Sequence, residues 1–437
     1  MKIYSEVYGC AANVADSEIA LGILRERGHE IVSRPEEADV LIIFTCVVKK
    51  PTSDRMLWRI SQLAEYGKPL VVTGCMVPGE PDKIRKLAPR AILLHPRTIT
   101  VIWEAVELGR SRVREDFGEV KLGYPRARKN PVVAIIPISE GCAWRLCSFC
   151  IVARTRGSFK SYPIELISRE VRRALSEGVK EIWLTSQDTG SYGIEAGRSR
   201  LPELMEGVSE IEGIFFIRVG MMNPLYVYPI RGELAEAYGS SKVFKFLHLP
   251  AQSGSNKVLR DMRRGYSVAV FKKVVDEIKS KVKDLTLSTD IIVGYPTEDE
   301  SDFEETLKLM EEVKPDMINI SRFFTRPRTP AEKLSPLPPK VIKERSRLLS
   351  EVAREIALRS SERWIGWRGA AIVDELGSRG ETIARNLSYR PIVLKNGSKE
   401  LFGKLIEVEI VDARPYCLIG ELKRVLEASD LVEVEFA

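Results

Sequence analysis

The residues of this 437-residue chain best suited to unusual chemistry are its seven cysteines, three of which fall within nine positions. Residues 141–150 read GCAWRLCSFC and put Cys142, Cys147 and Cys150 on one short loop. Three thiolates from one loop can ligate three corners of an iron–sulfur cubane and leave the fourth iron open for a substrate or cofactor. A structural zinc site would want a fourth ligand nearby, yet the only histidines are His29, His95 and His248. A three-cysteine zinc site completed by a carboxylate stays open as an alternative. A disulfide is disfavoured, because no secretory signal opens the sequence and a thiol cluster in such a chain normally means metal.

Three further cysteines each close an apolar run: KIYSEVYG precedes Cys10, DVLIIFT precedes Cys46 and LVVTG precedes Cys75. The intervals between them, 36 and 29 residues, fit one βα unit apiece. Parallel strands joined by such crossovers present their carboxyl ends along one edge, so these thiols are expected to converge in space. The alternative is three small buried core residues. Cys417 stands alone in a strand and is expected in the core rather than at a site.

The elements that must position these groups can be read from periodicity. Residues 13–28, NVADSEIALGILRERG, form an amphipathic helix stopped by Gly28. The run PVVAIIPI (131–138) leads into the cysteine loop and IELISREVRRALSEG (164–178) follows it as a helix, so the loop joins strand to helix at the catalytic edge of a parallel α/β barrel. EIWLTSQD, FFIRVGMMNP, VFKFLHLPAQSGS, LTLSTDIIVGYPTE and MINISRFFTRPRTPA repeat the pattern, giving about six βα units and a partial barrel. Polar groups close several of these strands: Gln187 and Asp188, then Gln252 and Ser253, then Asp290 in a strand running to Gly294. The chain has only three glutamines, and a polar group on a barrel's carboxyl rim reads as a ligand contact. Gly294 permits close backbone approach to a flat ring.

Around this core, residues 110–130 form a linker with seven basic residues against three acidic ones, either a solvated hinge or a strap for phosphate. Residues 340–362 read as a basic helix packing through Leu348, Val352 and Ile356. The segment 364–437 shows five short strands with turns at Gly377, Gly380 and Asn396-Gly397, a small antiparallel barrel of the oligonucleotide-binding kind. Its ten basic and twelve acidic residues give no electrostatic sign of RNA. The whole is globular, 44% hydrophobic and 29% charged with net charge +6, and no apolar run approaches the roughly 20 residues needed to cross a bilayer. A soluble, cytoplasmic protein is expected, and mild basicity is compatible with nucleic acid without establishing it.

The cysteine loop resembles the cluster motif of the radical S-adenosylmethionine (SAM) enzymes, in which the open iron chelates SAM. The spacing departs from that family's three-then-two pattern: four residues separate Cys142 from Cys147, and two separate Cys147 from Cys150. YGCAANVADSE, FTCVVKKPTSDR and TGCM resemble the three cysteine motifs of the amino-terminal domain of methylthiotransferases, with Asn13 matching that family's asparagine. RTRGSFKS, LTSQDTGSYG, LHLPAQSGSNKVLRDMRRGYS, STDIIVGYPTEDESDFEET and TRPRTPAEKL continue the likeness over nearly the whole chain. RVGMMNP (218–224) is most similar to the archaeal and eukaryotic branch, which acts on N6-threonylcarbamoyladenosine beside the tRNA anticodon. The end of the chain resembles a TRAM domain.

The resemblance implies an amino-terminal α/β domain (1–109) with an auxiliary cluster at Cys10, Cys46 and Cys75. It further implies a basic linker (110–130), a partial (β/α)6 radical SAM core (131–363) and a TRAM barrel (364–437). Two [4Fe–4S] clusters and SAM are the implied cofactors. Gln187, Gln252, Ser253, Asp290 and Gly294 would shape the SAM pocket, Gly294 against the adenine; Asn13, Arg154 and Arg156 would bind substrate, the two arginines meeting phosphate or carboxylate. The implied reaction inserts sulfur at carbon 2 of the modified adenine through a 5′-deoxyadenosyl radical, with a second SAM methylating the sulfur. The partners would be a tRNA anticodon loop and a reductant such as ferredoxin or flavodoxin, and the enzyme a monomer. Two rivals remain at this stage: methylthiolation of a ribosomal protein, and a non-catalytic iron–sulfur RNA-binding protein.

Overall fold

The computed structural model describes residues 1–47, 50–113 and 120–427; Val48 and Lys49 of the second cysteine motif, Arg114, Glu115, Asp116 and Glu119 of the linker, and 428–437 of the terminal segment lie outside the described residues. The chain opens with a wholly parallel five-stranded sheet in the order Glu30–Val32, Lys2–Val7, Val40–Thr45, Leu70–Gly74, Ile92–Leu94. Val40–Thr45 and Leu70–Gly74 are buried throughout, as continuous apolar runs must be when both faces of a sheet are covered. Alternation sorts them: Ile42 and Phe44 pack with Ile19 and Leu24 of helix Ala11–Glu26, while Leu41 and Ile43 pack with Met56, Ile60 and Leu63 of helix Lys50–Ala64. Gly28, just past the first helix, takes φ +83°.

The central region carries six parallel strands that lie side by side in chain order: Val133–Pro137, Glu181–Thr185, Phe216–Val219, Phe246–His248, Thr286–Val293 and Met317–Arg322. The two three-stranded halves are joined where Ile217 N donates to Lys242 O (2.7 Å) and Phe244 N to Ile217 O (2.9 Å). This is the open six-stranded barrel expected. The closing helix, Pro339–Glu362, packs through Leu349, Ala353 and Ala357. The anticipated row Leu348, Val352, Ile356 flanks that contact half-buried, because small alanines let the helix lie closer to the strands than the larger residues would.

The last five strands, Arg368–Leu376, Thr382–Asn386, Pro391–Leu394, Leu405–Arg414 and Cys417–Val425, close into a barrel. It is not wholly antiparallel: Pro391–Leu394 and Cys417–Val425 run parallel, since a ring with an odd number of strands cannot alternate direction all the way round. Cys417 is half-buried rather than in the core. Ile372, Leu387 and Tyr389 of this barrel pack on Val133, Ile135, Phe216, Phe244 and Phe246. Ala15 of the first helix packs into the same cluster, so the small barrel and the first domain together fill the starting end of the large one. At that contact Glu181, with no exposed surface, faces Asp374, which accepts from Arg385 Nε at 2.9 Å. Glu181 Oε2 and Asp374 Oδ1 are each buried without a hydrogen-bond partner, and one proton on Glu181 satisfies both.

The linker is neither a free hinge nor a phosphate strap over its described part. Lys121 is 1% exposed and Arg126 pairs with buried Glu170 at 2.8 Å. Arg128 pairs with Glu177, and Arg112 with Glu104 at 2.9 Å. The strand-like path crosses helix Ala11–Glu26 at Gly22, where an added Cβ would stand 2.2 Å from Pro125 O. Lys121 Nζ reaches Asp16 (2.7 Å) and Glu140 (3.0 Å), and Arg156 Nη1 reaches the same two carboxylates at 2.7 and 3.4 Å. All four side chains are buried, and together they clamp the first domain to the barrel. Among the described residues no helix is long and apolar enough to cross a membrane.

Two outcomes follow from these buried groups. Arg156→Met strands Asp16 and Glu140 with one cation between them and is expected to cost about 3–5 kcal/mol in chemical denaturation; a loss below about 1 kcal/mol, typical of an exposed pair, would show that the clamp is not structural. Burial first, then Asp374, pushes the Glu181 carboxyl up to about 8. A carboxyl raised in the folded state binds its proton more tightly there, so its contribution is complete below the ordinary carboxylate range and drains away as pH rises toward 8. Glu181→Gln should remove that decline in stability, which has a slope of at most about 1.4 kcal/mol per pH unit; parallel stability curves for both proteins would refute the shared proton.

Candidate active site

The loop bearing Cys142, Cys147 and Cys150 leaves the first barrel strand at its carboxyl end. Gly141 is required there: it takes φ +77°, and a Cβ would stand 2.2 Å from Ser158 O. Downstream the loop is held by the segment 261–265 and by Tyr295. Trp144 Nε1 donates to Arg263 O (2.7 Å), Ser148 N to Met262 O (3.0 Å) and Ser148 Oγ to Asp261 O (2.9 Å), with Tyr295 OH 2.9 Å from the same hydroxyl. The four-residue interval is absorbed outward: Arg145 and Leu146 at its apex are exposed, Leu146 by 56%, while the chain on either side is fixed. The longer spacing therefore leaves the thiols facing inward.

Burial, then Cys150, Asp188 and Cys147, pushes the Cys142 thiol up to about 12; burial, then Cys147, pushes Cys150 up to about 11. The three sulfurs are thus one another's electrostatic neighbours. Arg264 Nη1 lies 3.3 Å from Cys147 Sγ, placing a buried cation against the trio. Among the described residues no three His, Cys, Asp or Glu side chains stand close enough to share a single ion. A tetrahedral zinc would hold its sulfurs about 3.8 Å apart, whereas in a cubane each thiolate binds its own iron and the ligands spread wider. Three thiols on one loop are a donor set for a cubane that keeps one iron open.

The first-domain cysteines sit on the tips of three adjacent strands, Lys2–Val7, Val40–Thr45 and Leu70–Gly74. Cys10 directly precedes helix Ala11–Glu26 as its N-cap residue. A Cβ on Gly9 would stand 2.9 Å from Cys46 Cβ, and Cys75 N donates to Thr45 O at 3.0 Å, so the tips converge. Cys10 is exposed; Cys46 and Cys75 are buried. Burial raises the Cys75 thiol, against a lowering by Arg156.

The two trios adjoin each other. Arg156 Nε lies 3.3 Å from Cys75 Sγ, and Val47, Cys75 and Ile151 pack as one small apolar cluster. The buried guanidinium of Arg326 feels both Cys46 and Cys150. The thiols of the first domain therefore look toward the barrel mouth.

Several residues assigned from sequence have different work. Asn13 donates to Tyr8 O (2.8 Å) and Thr45 O (2.7 Å) and accepts from Arg156 Nη2 (2.7 Å); fully engaged, it ties strand tips together and has nothing left for substrate. Arg156, 1% exposed, is likewise spent on Asn13, Asp16, Glu140 and Cys75. Arg154 is exposed. Gly294 takes φ +80°, but the space a side chain would fill holds Ile342 Cγ1 at 2.6 Å, so the glycine admits the closing helix rather than a flat ring. Ser253 Oγ accepts from Ser255 N (3.1 Å) and lies 3.4 Å from Thr306 Oγ1; it fastens its loop to helix Glu300–Val313.

Among the remaining rim groups, Gln252 keeps a polar atom without a partner. Gln252 is held at φ +67°, its N donating to Asp290 O (2.8 Å), with Oε1 buried and unpartnered. Such strain in a non-glycine residue collects at ligand sites. Gln187 is half-buried at the tip of its strand. Asp290 Oδ1 meets His248 Nε2 at 3.1 Å and Asn319 Nδ2 at 2.9 Å. Asp188, beside Gln187, accepts from Asn223 N (2.9 Å) within the MMNP segment, and burial pushes its carboxyl up to about 6. Sequence reasoning read Asp188 as a polar group of the barrel rim but passed over Arg264 and Arg326 as site residues, although each lies in a segment, MRRGY or TRPRT, that it had singled out.

The chain matches the Radical SAM superfamily over residues 136–310, the "Uncharacterized protein family UPF0004" over 2–95 and the TRAM domain over 370–423. A Methanothermobacter thermautotrophicus protein, "Probable threonylcarbamoyladenosine tRNA methylthiotransferase", is 40% identical over 96% of this chain and 99% of its own length. The human "Threonylcarbamoyladenosine tRNA methylthiotransferase" is 35% identical over 96% of this chain and 74% of its own. The radical SAM methyltransferase TsrM from Kitasatospora setae superposes with TM-score 0.57 at 12% identity, over 76% of this chain and 74% of that one, a likeness of fold. With a radical SAM barrel, a strand-tip cysteine trio abutting its cluster loop, a terminal TRAM barrel and relatives of this similarity over nearly its full length, the chain belongs to the threonylcarbamoyladenosine tRNA methylthiotransferase family of radical SAM enzymes, which implies [4Fe–4S] and SAM as cofactors.

Proposed function

We propose that the protein converts N6-threonylcarbamoyladenosine beside the tRNA anticodon to its 2-methylthio derivative. One observation carries this reading: Arg156, six residues after Cys150 of the loop trio, places Nε 3.3 Å from Cys75 Sγ of the strand-tip trio and so brings the two sets of thiols near each other. Cys142, Cys147 and Cys150 would hold the [4Fe–4S] cluster that binds SAM, and Cys10, Cys46 and Cys75 a second [4Fe–4S] cluster from which sulfur is delivered. Bound together, cluster and SAM supply radical chemistry at a carbon that offers no acid–base handle.

The protein's own part is placement. Arg264 keeps a cation against Cys147, offsetting thiolate charge once the loop is loaded. Asp188, Gln187 and the strained Gln252 offer polar atoms along the rim where SAM would lie, with Asp290 held in position by His248 and Asn319. Arg156 fixes the distance between donor and acceptor sites, and a base splayed out of an anticodon loop is of the size and kind that proteins read by extrusion. The TRAM barrel would grip the rest of the RNA. A ferredoxin- or flavodoxin-type protein would supply electrons, and the enzyme would act as a monomer.

Anaerobic reconstitution followed by nucleoside mass spectrometry tests the reading. The wild-type protein should bind about eight irons as two cubanes, release 5′-deoxyadenosine with SAM and reductant, and form the methylthio nucleoside in tRNA. Cys147→Ala should hold about four irons and release no 5′-deoxyadenosine; Cys75→Ala should hold about four, still cleave SAM and form no methylthio product. Modification of a protein side chain with none in tRNA, or a wild-type chain that binds a single cluster, would overturn it.

A further inference from the structure

Near both trios lies a guanidinium that makes no ion pair among the described residues, with one nitrogen buried and without a hydrogen-bond partner. Arg326 belongs to the turn after strand Met317–Arg322, is 6% exposed, and buries Nη2 without a hydrogen-bond partner. Among the described residues it makes no ion pair, unlike Arg156, which faces two carboxylates. The charges nearest it are, in order, Glu80, Cys46, Cys150 and Asp54, and burial still outweighs them, pushing the guanidinium down to about 10. Glu80 is itself taken by Lys83 at 2.7 Å.

The group is held as if for a ligand. The Phe324 ring lies 3.8 Å from the guanidinium carbon and braces its plane. Arg326 O accepts from Thr329 Oγ1 at 2.8 Å, and Ala331 N donates to Ser148 O at 2.9 Å. Ser148 lies between Cys147 and Cys150, so the arginine is fixed relative to the cluster loop. A desolvated guanidinium without an anion is costly, and its planar fork matches a carboxylate. Two carboxylates could enter this space: that of SAM, and that of the threonylcarbamoyl group carried on N6 of the substrate adenine. Arg264 already supplies a cation beside Cys147, whereas Arg326 acts on a thiol of each trio, Cys46 and Cys150. Resting on the substrate reading above, we propose that Arg326 receives the carboxylate of the threonylcarbamoyl group and thereby selects adenines that bear it.

The test uses reconstituted enzyme and anticodon stem-loop RNA carrying either N6-threonylcarbamoyladenosine or its neutral carboxamide counterpart. Equilibrium binding is followed by fluorescence anisotropy without SAM. The wild-type enzyme should favour the carboxylate RNA by about ten- to a hundredfold, the worth of a buried charged hydrogen bond. Arg326→Gln should bind both RNAs alike, and Arg326→Lys should recover part of the preference. Half-saturation by SAM in 5′-deoxyadenosine formation should be the same for Arg326→Gln as for wild type. A preference that survives in Arg326→Gln, or a wild-type enzyme indifferent to the carboxylate, overturns the proposal. So does a raised SAM requirement with RNA preference intact, which would give Arg326 to the SAM carboxylate. Product formation on the same RNA by wild type is scored separately: its absence sinks the substrate reading itself, whatever Arg326 does.

Discussion

The relative placement of the two cysteine trios depends on a buried cluster of four charges, Asp16, Lys121, Glu140 and Arg156. Each comes from a different segment: the first helix, the linker, the edge of the cluster loop and the turn beyond it. Removing such charges from water is expensive, and their mutual attraction recovers the cost only when every partner is in place. A shift of one domain against the other would leave at least two of them uncompensated. The arrangement therefore admits one docking geometry, and Arg156 extends it to the chemistry by reaching Asn13 and Cys75 as well.

The central barrel is asymmetric along its axis for a related reason. Its carboxyl rim keeps polar atoms unspent, among them Gln252 Oε1, while its starting end is filled by aromatic and aliphatic groups from the terminal barrel. Phe244, Phe246 and Tyr389 pack ring against ring there, at 4.7 and 5.1 Å. Polar groups enter this contact too: Glu181 with Asp374, stabilised by Arg385 and by a retained proton, and Arg218, whose guanidinium lies over the rings of Trp183, Phe246 and Tyr389. The floor of the barrel is thus filled, and the cysteine loop leaves its first strand at the opposite, carboxyl end.

Much of this was legible in the chain. Apolar runs ending in cysteine located three strand tips, because a covered parallel strand shows as an unbroken hydrophobic stretch. The order of six barrel strands follows from their regular spacing, since each crossover returns the chain to the neighbouring position. The same reasoning named Asn13, Arg156, Ser253 and Gly294 as contacts for substrate or SAM, whereas the fold shows each engaged with the protein's own groups. Each lies close to the site, but its polar atoms, or for Gly294 its open space, are taken by the protein itself. Local pattern reveals where a residue lies along an element, not which group will face it.

The chain alone determined the ligand spacing on the cysteine loop, the strand and helix sequence and the family likeness, since these depend on residues near one another and on hydrophobic period. Tertiary structure decided which polar groups are consumed and which are left free. Lys121 finds Asp16 across 105 residues and Arg156 finds Asn13 across 143, separations over which no local signal chooses a partner. The same three-dimensional closure left Arg326 buried near both trios with one nitrogen unpartnered, because a charge is satisfied or orphaned only by what folds against it.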